Sequence, residues 1–207
     1  MKCFVGTKIQ CFDCRKTSQY DFKIGTRRFA IRKSNSMCLL TKGGPILLLD
    51  FARLFSIVTQ SPIQHIISYM GNEDVIHTRY GRVRVDNIIA DFPIYFLESC
   101  SILKANTKEI ESVTKKSWTT DLWPIIESSL RKYTTNGTTD TIGILLTPLK
   151  RWFWNVPNAS NEASFTCTSL VVEAWRRAGI ELFPTMGPSC TYPSDFVSLP
   201  FFSSIEF

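Results

Sequence analysis

The sequence predicts an α+β domain, and three observations carry the prediction. Strand-length apolar runs separated by turn residues fill the first half. Helical spacing takes over beyond about residue 104, and a well-punctuated helix closed by glycine follows near residue 179. Strands first and helices later favour an antiparallel sheet packed by helices. In order, residues 1–44 read as short extended pieces ending in a turn at Lys42-Gly43-Gly44. Pro45 to Asp50 is a continuous apolar run of strand length, and Phe51, Leu54, Phe55 and Val58 follow with helical spacing. Gln64 to Met70 reads as a strand, Gly71 to Asp74 as a turn, and Val75 to Arg79 as its hairpin partner. Gly81 turns the chain into Arg82 to Val85, where valines alternate with arginines. Asp86 is suited to cap a short helix over Asn87 to Ala90, and Ile94 to Glu98 reads as a further strand.

Helices are expected over Thr107 to Ser117 and Asp121 to Tyr133, followed by a polar loop at 134–140. Ile142 to Trp154 is apolar and aromatic, and Asn155 to Ser164 is a polar loop. Thr166 to Ala178 is a helix stopped by Gly179, with Glu173, Arg176 and Arg177 expected on its solvated face. Pro193-Ser194-Asp195-Phe196 reads as a short turn capped by Asp195.

Composition bounds the possibilities. With 44% hydrophobic residues, 10 Gly and 10 Pro, the chain is neither disordered nor collagen-like. Its apolar runs are too short to span a bilayer, and Lys2, Lys8, Arg15 and Lys16 interrupt the start where a signal peptide would be apolar. The expectation is a soluble intracellular protein. Charge divides it further: residues 1–44 hold ten bases against two acids, while the remainder holds fourteen against sixteen. The organisation expected is therefore a basic extension over 1–44 and one domain over 45–207. The extension suits a polyanion or an acidic protein surface, and its interleaved aromatics suit stacking on bases. Solvent-facing charge is the plainer alternative. Of the seven cysteines, Cys11 and Cys14 have the spacing of a zinc pair. A second pair is missing, so free thiols are expected, with no metal or cofactor.

The chemistry concentrates in three residues. The two histidines, His65 and His77, fall in one predicted hairpin, where adjacent strands can make them neighbours. Cys167 stands at the start of the helix beginning near Thr166, where the macrodipole and unpaired N–H groups favour a thiolate. A thiol, an imidazole base and a second polar group that orients the imidazole are the parts of a cysteine nucleophile.

The surrounding residues resemble a known group. Gly44-Pro45-Ile46-Leu47-Leu48-Leu49, then Thr59-Gln60-Ser61-Pro62-Ile63-Gln64-His65, is similar to the opening of the circularly permuted papain-like thiol hydrolases of the NlpC type. Phe165-Thr166-Cys167 followed by Leu170-Val171 resembles their nucleophile helix, and Pro193-Ser194-Asp195-Phe196 their closing segment. Histidine before cysteine is the permuted order. The twelve-residue separation of His65 and His77, with Tyr69 and Gly71 between, is similar to the lecithin:retinol acyltransferase branch; poxviral and bacterial members more often carry Glu at the second position. The resemblance covers residues 44–207. Thr168-Ser169 stands where the group commonly has Ser-Glu, and segment 1–44 has no counterpart.

The resemblance implies a cysteine hydrolase or acyltransferase working through a thioacyl intermediate. Cys167 is then the nucleophile, His65 the base and His77 the orienting residue. The substrate is an acyl compound, with peptide, isopeptide and lipid all compatible. The alternative is a structural or interaction subunit of a viral or other large assembly, virion-associated, that retains the fold.

Overall fold

The computed structural model describes residues 9–11, 19–24, 27–32, 37–42, 63–71, 74–87, 91, 100–140, 142–144, 147 and 164–205. The readings over Pro45 to Val58, residues 88–90 of the short helix, Ile94 to Glu98, and residues 148–163 lie outside these residues. The class is α+β, with a mixed sheet packed by helices. A three-stranded antiparallel sheet comprises β1 (Ile9–Cys11), β2 (Gln19–Ile24) and β3 (Arg27–Arg32).

The main sheet contains β4 (Met37–Lys42), β5 (Ile63–Gly71), β6 (Asp74–Arg79), β7 (Arg82–Asn87) and β8 (Cys100–Ala105). Short β9 (Thr138–Thr139) and β10 (Ser164–Phe165), with β11 (Phe202–Ile205), complete it. Its order is β10-β9-β7-β6-β5-β4-β8-β11, antiparallel except where β10 meets β9. The last strand of the basic segment, β4, thus lies inside this sheet between β5 and β8. Its Met-Cys-Leu-Leu stretch suits a strand with neighbours on both edges, whatever the charge of the residues before it.

β5 and β6 are buried on both faces, and alternation decides which side chains meet the helices. Ile66 and Met70 of β5, Ile76 of β6 and Val83 of β7 join the hydrophobic core. The helices supply the other half of that core. These are α1 (Thr107–Thr114), a π turn at Trp118–Leu122, α2 (Trp123–Asn136) and α3 (Cys167–Arg177). Trp118 lies between Trp123 and Trp175, with ring centroids 6.0 and 5.4 Å away, and Trp175 meets Phe202 at 5.0 Å. Truncating a buried tryptophan to alanine typically costs about 3–5 kcal/mol, so this aromatic layer anchors the helices to the sheet.

The helix ends follow local chemistry. Lys115, at φ 58°, stops α1 three residues short of the expected Ser117. The helix α2 continues to Asn136, past the Tyr133 expected, and Gly137 follows it closely. A Cβ on Gly137 would lie 2.5 Å from the Tyr133 carbonyl oxygen and 2.7 Å from Val83, so only glycine fits between α2 and β7. Gly179, at φ 84°, receives the end of α3 in the left-handed conformation expected of it. At Pro193–Ser198 the Asp195 carboxylate accepts from the Tyr192 N–H at 2.8 Å, capping that turn.

Candidate active site

The β5–β6–β7 register assembles a polar row. Tyr69 pairs with Val75, Val75 with Asp86, and His77 with Arg84. Side chains alternate along each strand, so His65 shares a face with His77, Arg79, Arg84 and Asp86. The His65 Nε2 lies 2.9 Å from His77 Nδ1, and His77 Nε2 lies 3.0 Å from Asp86 Oδ2. Arg84 donates its Nε–H to Asp86 Oδ1 at 2.6 Å, and Arg79 approaches Oδ2 at 3.6 Å.

Asp86 was expected as a helix cap, and the structure corrects that expectation. It belongs to β7, with its side chain only 1% exposed and spent on His77 and Arg84. An Asp after an alternating strand has the local signature of a cap. Its real partner is reached only through the register of two strands. Burial works against its charge, but the hydrogen bonds and charges of His77 and Arg84 hold its carboxyl below the ordinary value.

An ionised Asp86 assigns the protons along this chain of contacts. An ionised carboxylate only accepts, so His77 Nε2–H must donate to Asp86. The neutral His77 ring then keeps its lone pair on Nδ1, and His65 Nε2–H donates to it. His65 is left with a lone pair on Nδ1, the nitrogen outside the row. Both rings resist a second proton. Burial first, then the cost of placing a positive charge beside His77 and Arg79, push the His65 pKa down to about 3. For His77, burial outweighs the help of Asp86, and its pKa is lowered too.

Cys167 approaches from the helical side. Helix α3 packs on β5 and β6. Thr166 is its N-cap: Thr166 Oγ1 accepts from Ser169 N–H at 3.0 Å, and Ser169 Oγ accepts from Thr166 N–H at 2.8 Å. Ser169 therefore performs the reciprocal half of a capping box that a longer acidic side chain usually supplies. Thr168 Oγ1 donates to the Thr191 carbonyl at 3.0 Å, tying the same turn to the C-terminal segment. Cys167 is thereby held at the first position of the helix, where its sulfur meets the backbone N–H of Ile66, the neighbour of His65.

The expectation of a thiolate needs correction. Burial raises the Cys167 pKa, and the backbone hydrogen bonds from Ile66, Thr168 and Cys167 itself recover only part of that cost. Desolvation is the larger effect on the thiol, although Cys167 as a whole is only half-buried. The two shifts favour a neutral thiol and a neutral imidazole at rest, and among the described residues no hydrogen bond joins Cys167 to His65.

Glu173 also departs from expectation. Its side chain is 1% exposed rather than solvated, and it accepts from Arg176 at 2.8 and 2.9 Å, with Arg177 3.4 Å away. Among the described residues, no group of three His, Cys, Asp or Glu side chains is placed to hold a metal ion. Cys11 lies in β1, and Cys14 lies outside the described residues. No helix among the described residues is long and apolar enough to cross a membrane. No protein-family model matches the chain, and neither a curated protein nor a solved structure does.

Proposed function

We propose that the protein is a cysteine hydrolase or acyltransferase of the permuted papain-like, NlpC-type class, with Cys167 as nucleophile and His65 as base. The observation that carries the reading is the His65–His77–Asp86 chain. Its hydrogen bonds leave one unspent lone pair, on His65 Nδ1, and buried polar rows of this kind are what an acid–base residue needs to keep one tautomer.

Attack would move the Cys167 proton to His65 Nδ1 while the sulfur bonds to the substrate carbonyl carbon. Separately, each charge is opposed by burial. With the sulfur brought to His65 Nδ1 they would form an ion pair, and the imidazolium Nε2–H still donates toward His77 and, through it, the negative Asp86. The backbone N–H of Cys167 and a neighbouring donor would meet the oxyanion; one such donor typically contributes about 10²–10³ in rate. Collapse returns the proton from His65 to the leaving group and leaves a thioacyl enzyme. Water or another acceptor then attacks, losing its proton to His65 and restoring the thiol. His77 and Asp86 are positioning residues in this scheme. The acyl substrate is a peptide, an isopeptide or a lipid, since the same chemistry serves all three. The basic residues of segment 1–44 would add contact with a polyanion or an acidic protein surface, weakened by salt.

Profiling with acyl-directed thiol probes tests the proposal. Labelling should fall on Cys167 and vanish in Cys167→Ala, whose fold should persist. Unchanged labelling in Cys167→Ala rejects Cys167 as nucleophile. That no hydrogen bond joins Cys167 to His65 among the described residues favours a second reading, an interaction subunit of a large assembly, virion-associated, that retains the site without using it. Acylation confined to Cys167 separates the two, because a retained but idle thiol accumulates no acyl group.

A further inference from the structure

The β6–β7 hairpin borders a cavity of about 480 Å³ that reaches Thr134 of α2. Its described lining contains Arg79, Arg82 and Arg84 with Tyr80, and no carboxylate. Two of the arginines are already oriented. Arg84 is held by its 2.6 Å bond to Asp86, and Arg79 donates to the Tyr80 hydroxyl at 2.9 Å and the Asp91 carbonyl at 3.4 Å. Arg82 stands opposite Arg79 in the register, is exposed, and makes no ion pair among the described residues.

Three guanidinium groups held on one tight hairpin repel one another, and among the described residues one buried carboxylate, Asp86, is paired with two of them. A phosphoryl group offers two charges and several acceptor oxygens, which suit the planar donor forks of arginine. The volume lies within the range of small-ligand sites. Tyr80, 77% exposed at the rim, adds a flat face for an organic portion of the ligand.

We propose that this cavity is a binding site for a phosphate group, either free inorganic phosphate or a phosphoryl group carried by a small organic molecule. It goes beyond the thiol chemistry and stands independently of it.

Calorimetric titration of the full-length protein at constant ionic strength tests it, with inorganic phosphate and phenyl phosphate as the two arms. Saturable binding in either arm is expected. Tighter binding of phenyl phosphate assigns a carried group, and equal binding assigns the free anion. Arg82→Ala should weaken binding by about tenfold, the loss expected for one charge-assisted contact. Arg82→Gln, which keeps more of the side chain, should weaken it similarly. The proposal is overturned if neither arm saturates, or if both folded variants bind as tightly as the parent. Because heat of binding is read, a failure here leaves the Cys167 reading untouched, and failed acyl labelling leaves this one untouched.

Discussion

Asp86 and Glu173 are both carboxylates with 1% of the side chain exposed, and each is met by two arginines. They differ in what else they hold. Glu173 pairs with Arg176 and Arg177, three and four residues along the same helix, so its interactions are closed within one turn of α3. Asp86 adds a histidine from the neighbouring strand, and that histidine holds another. A buried ion pair alone is weak evidence of function. The histidine chain is what distinguishes the two, since it converts one fixed charge into a fixed proton position some distance away.

Exchanging each acid for its amide should expose that difference. The largest effect is expected from Asp86→Asn. Arg84 donates toward Oδ1, so the amide oxygen stays there and the amide NH₂ turns to His77. His77 must then accept on Nε2 and donate from Nδ1, which forces the His65 proton onto Nδ1 and blocks the base. In a serine protease triad the same exchange lowers turnover by about 10⁴ through the wrong tautomer. A loss of about 10²–10⁴ in turnover is expected here, with ¹⁵N shifts of the two rings reporting the exchanged tautomers. Normal tautomers with lost turnover would contradict the relay. Glu173→Gln should leave turnover within about twofold and lower stability by about 1–3 kcal/mol, the usual cost of weakening a buried charged hydrogen bond. Denaturant unfolding checks the second figure.

Acidification should sharpen the contrast. Folded His65 refuses a proton until about pH 3, whereas the unfolded ring accepts one near 6.5. Between those values the unfolded chain binds more protons, so stability is full above about 6.5 and falls as pH is lowered through the window. The lowered pKa of His77 acts in the same direction. A thermal midpoint several degrees lower at pH 4.5 than at pH 7.5 is expected, and His65→Asn should flatten that slope while Glu173→Gln leaves it in place. An unchanged midpoint in the parent protein would place both rings in solvent.

The smallest effect concerns the turn that sets the register between His77 and Asp86. Tyr80 at φ 51° and Gly81 at φ 81° both occupy the left-handed region, as a two-residue hairpin of this type requires. Asparagine tolerates that conformation better than tyrosine. Tyr80→Asn should raise stability by about 0.5–1 kcal/mol without altering turnover, as read by urea unfolding and by acyl labelling of Cys167.

Residues close in sequence were the legible part of this protein. The histidine hairpin follows from alternation around Gly71 and Gly81, and the helix of Cys167 from Thr166 at one end and Gly179 at the other. The caps at Gly179 and Asp195 are likewise local, because each satisfies backbone groups within a few residues. Tertiary structure decided everything that depends on a distant partner. The pairing of β4 with β5 and β8 joined part of the basic segment to the main sheet, though its charge had suggested separation. Strand register carried Asp86 from an apparent cap to a ligand of His77. Burial took Glu173 out of solvent and raised the Cys167 pKa against the pull of its helix end. Local chemistry can be read from spacing, but desolvation and cross-strand hydrogen bonds exist only once the sheet and helices enclose a common interior.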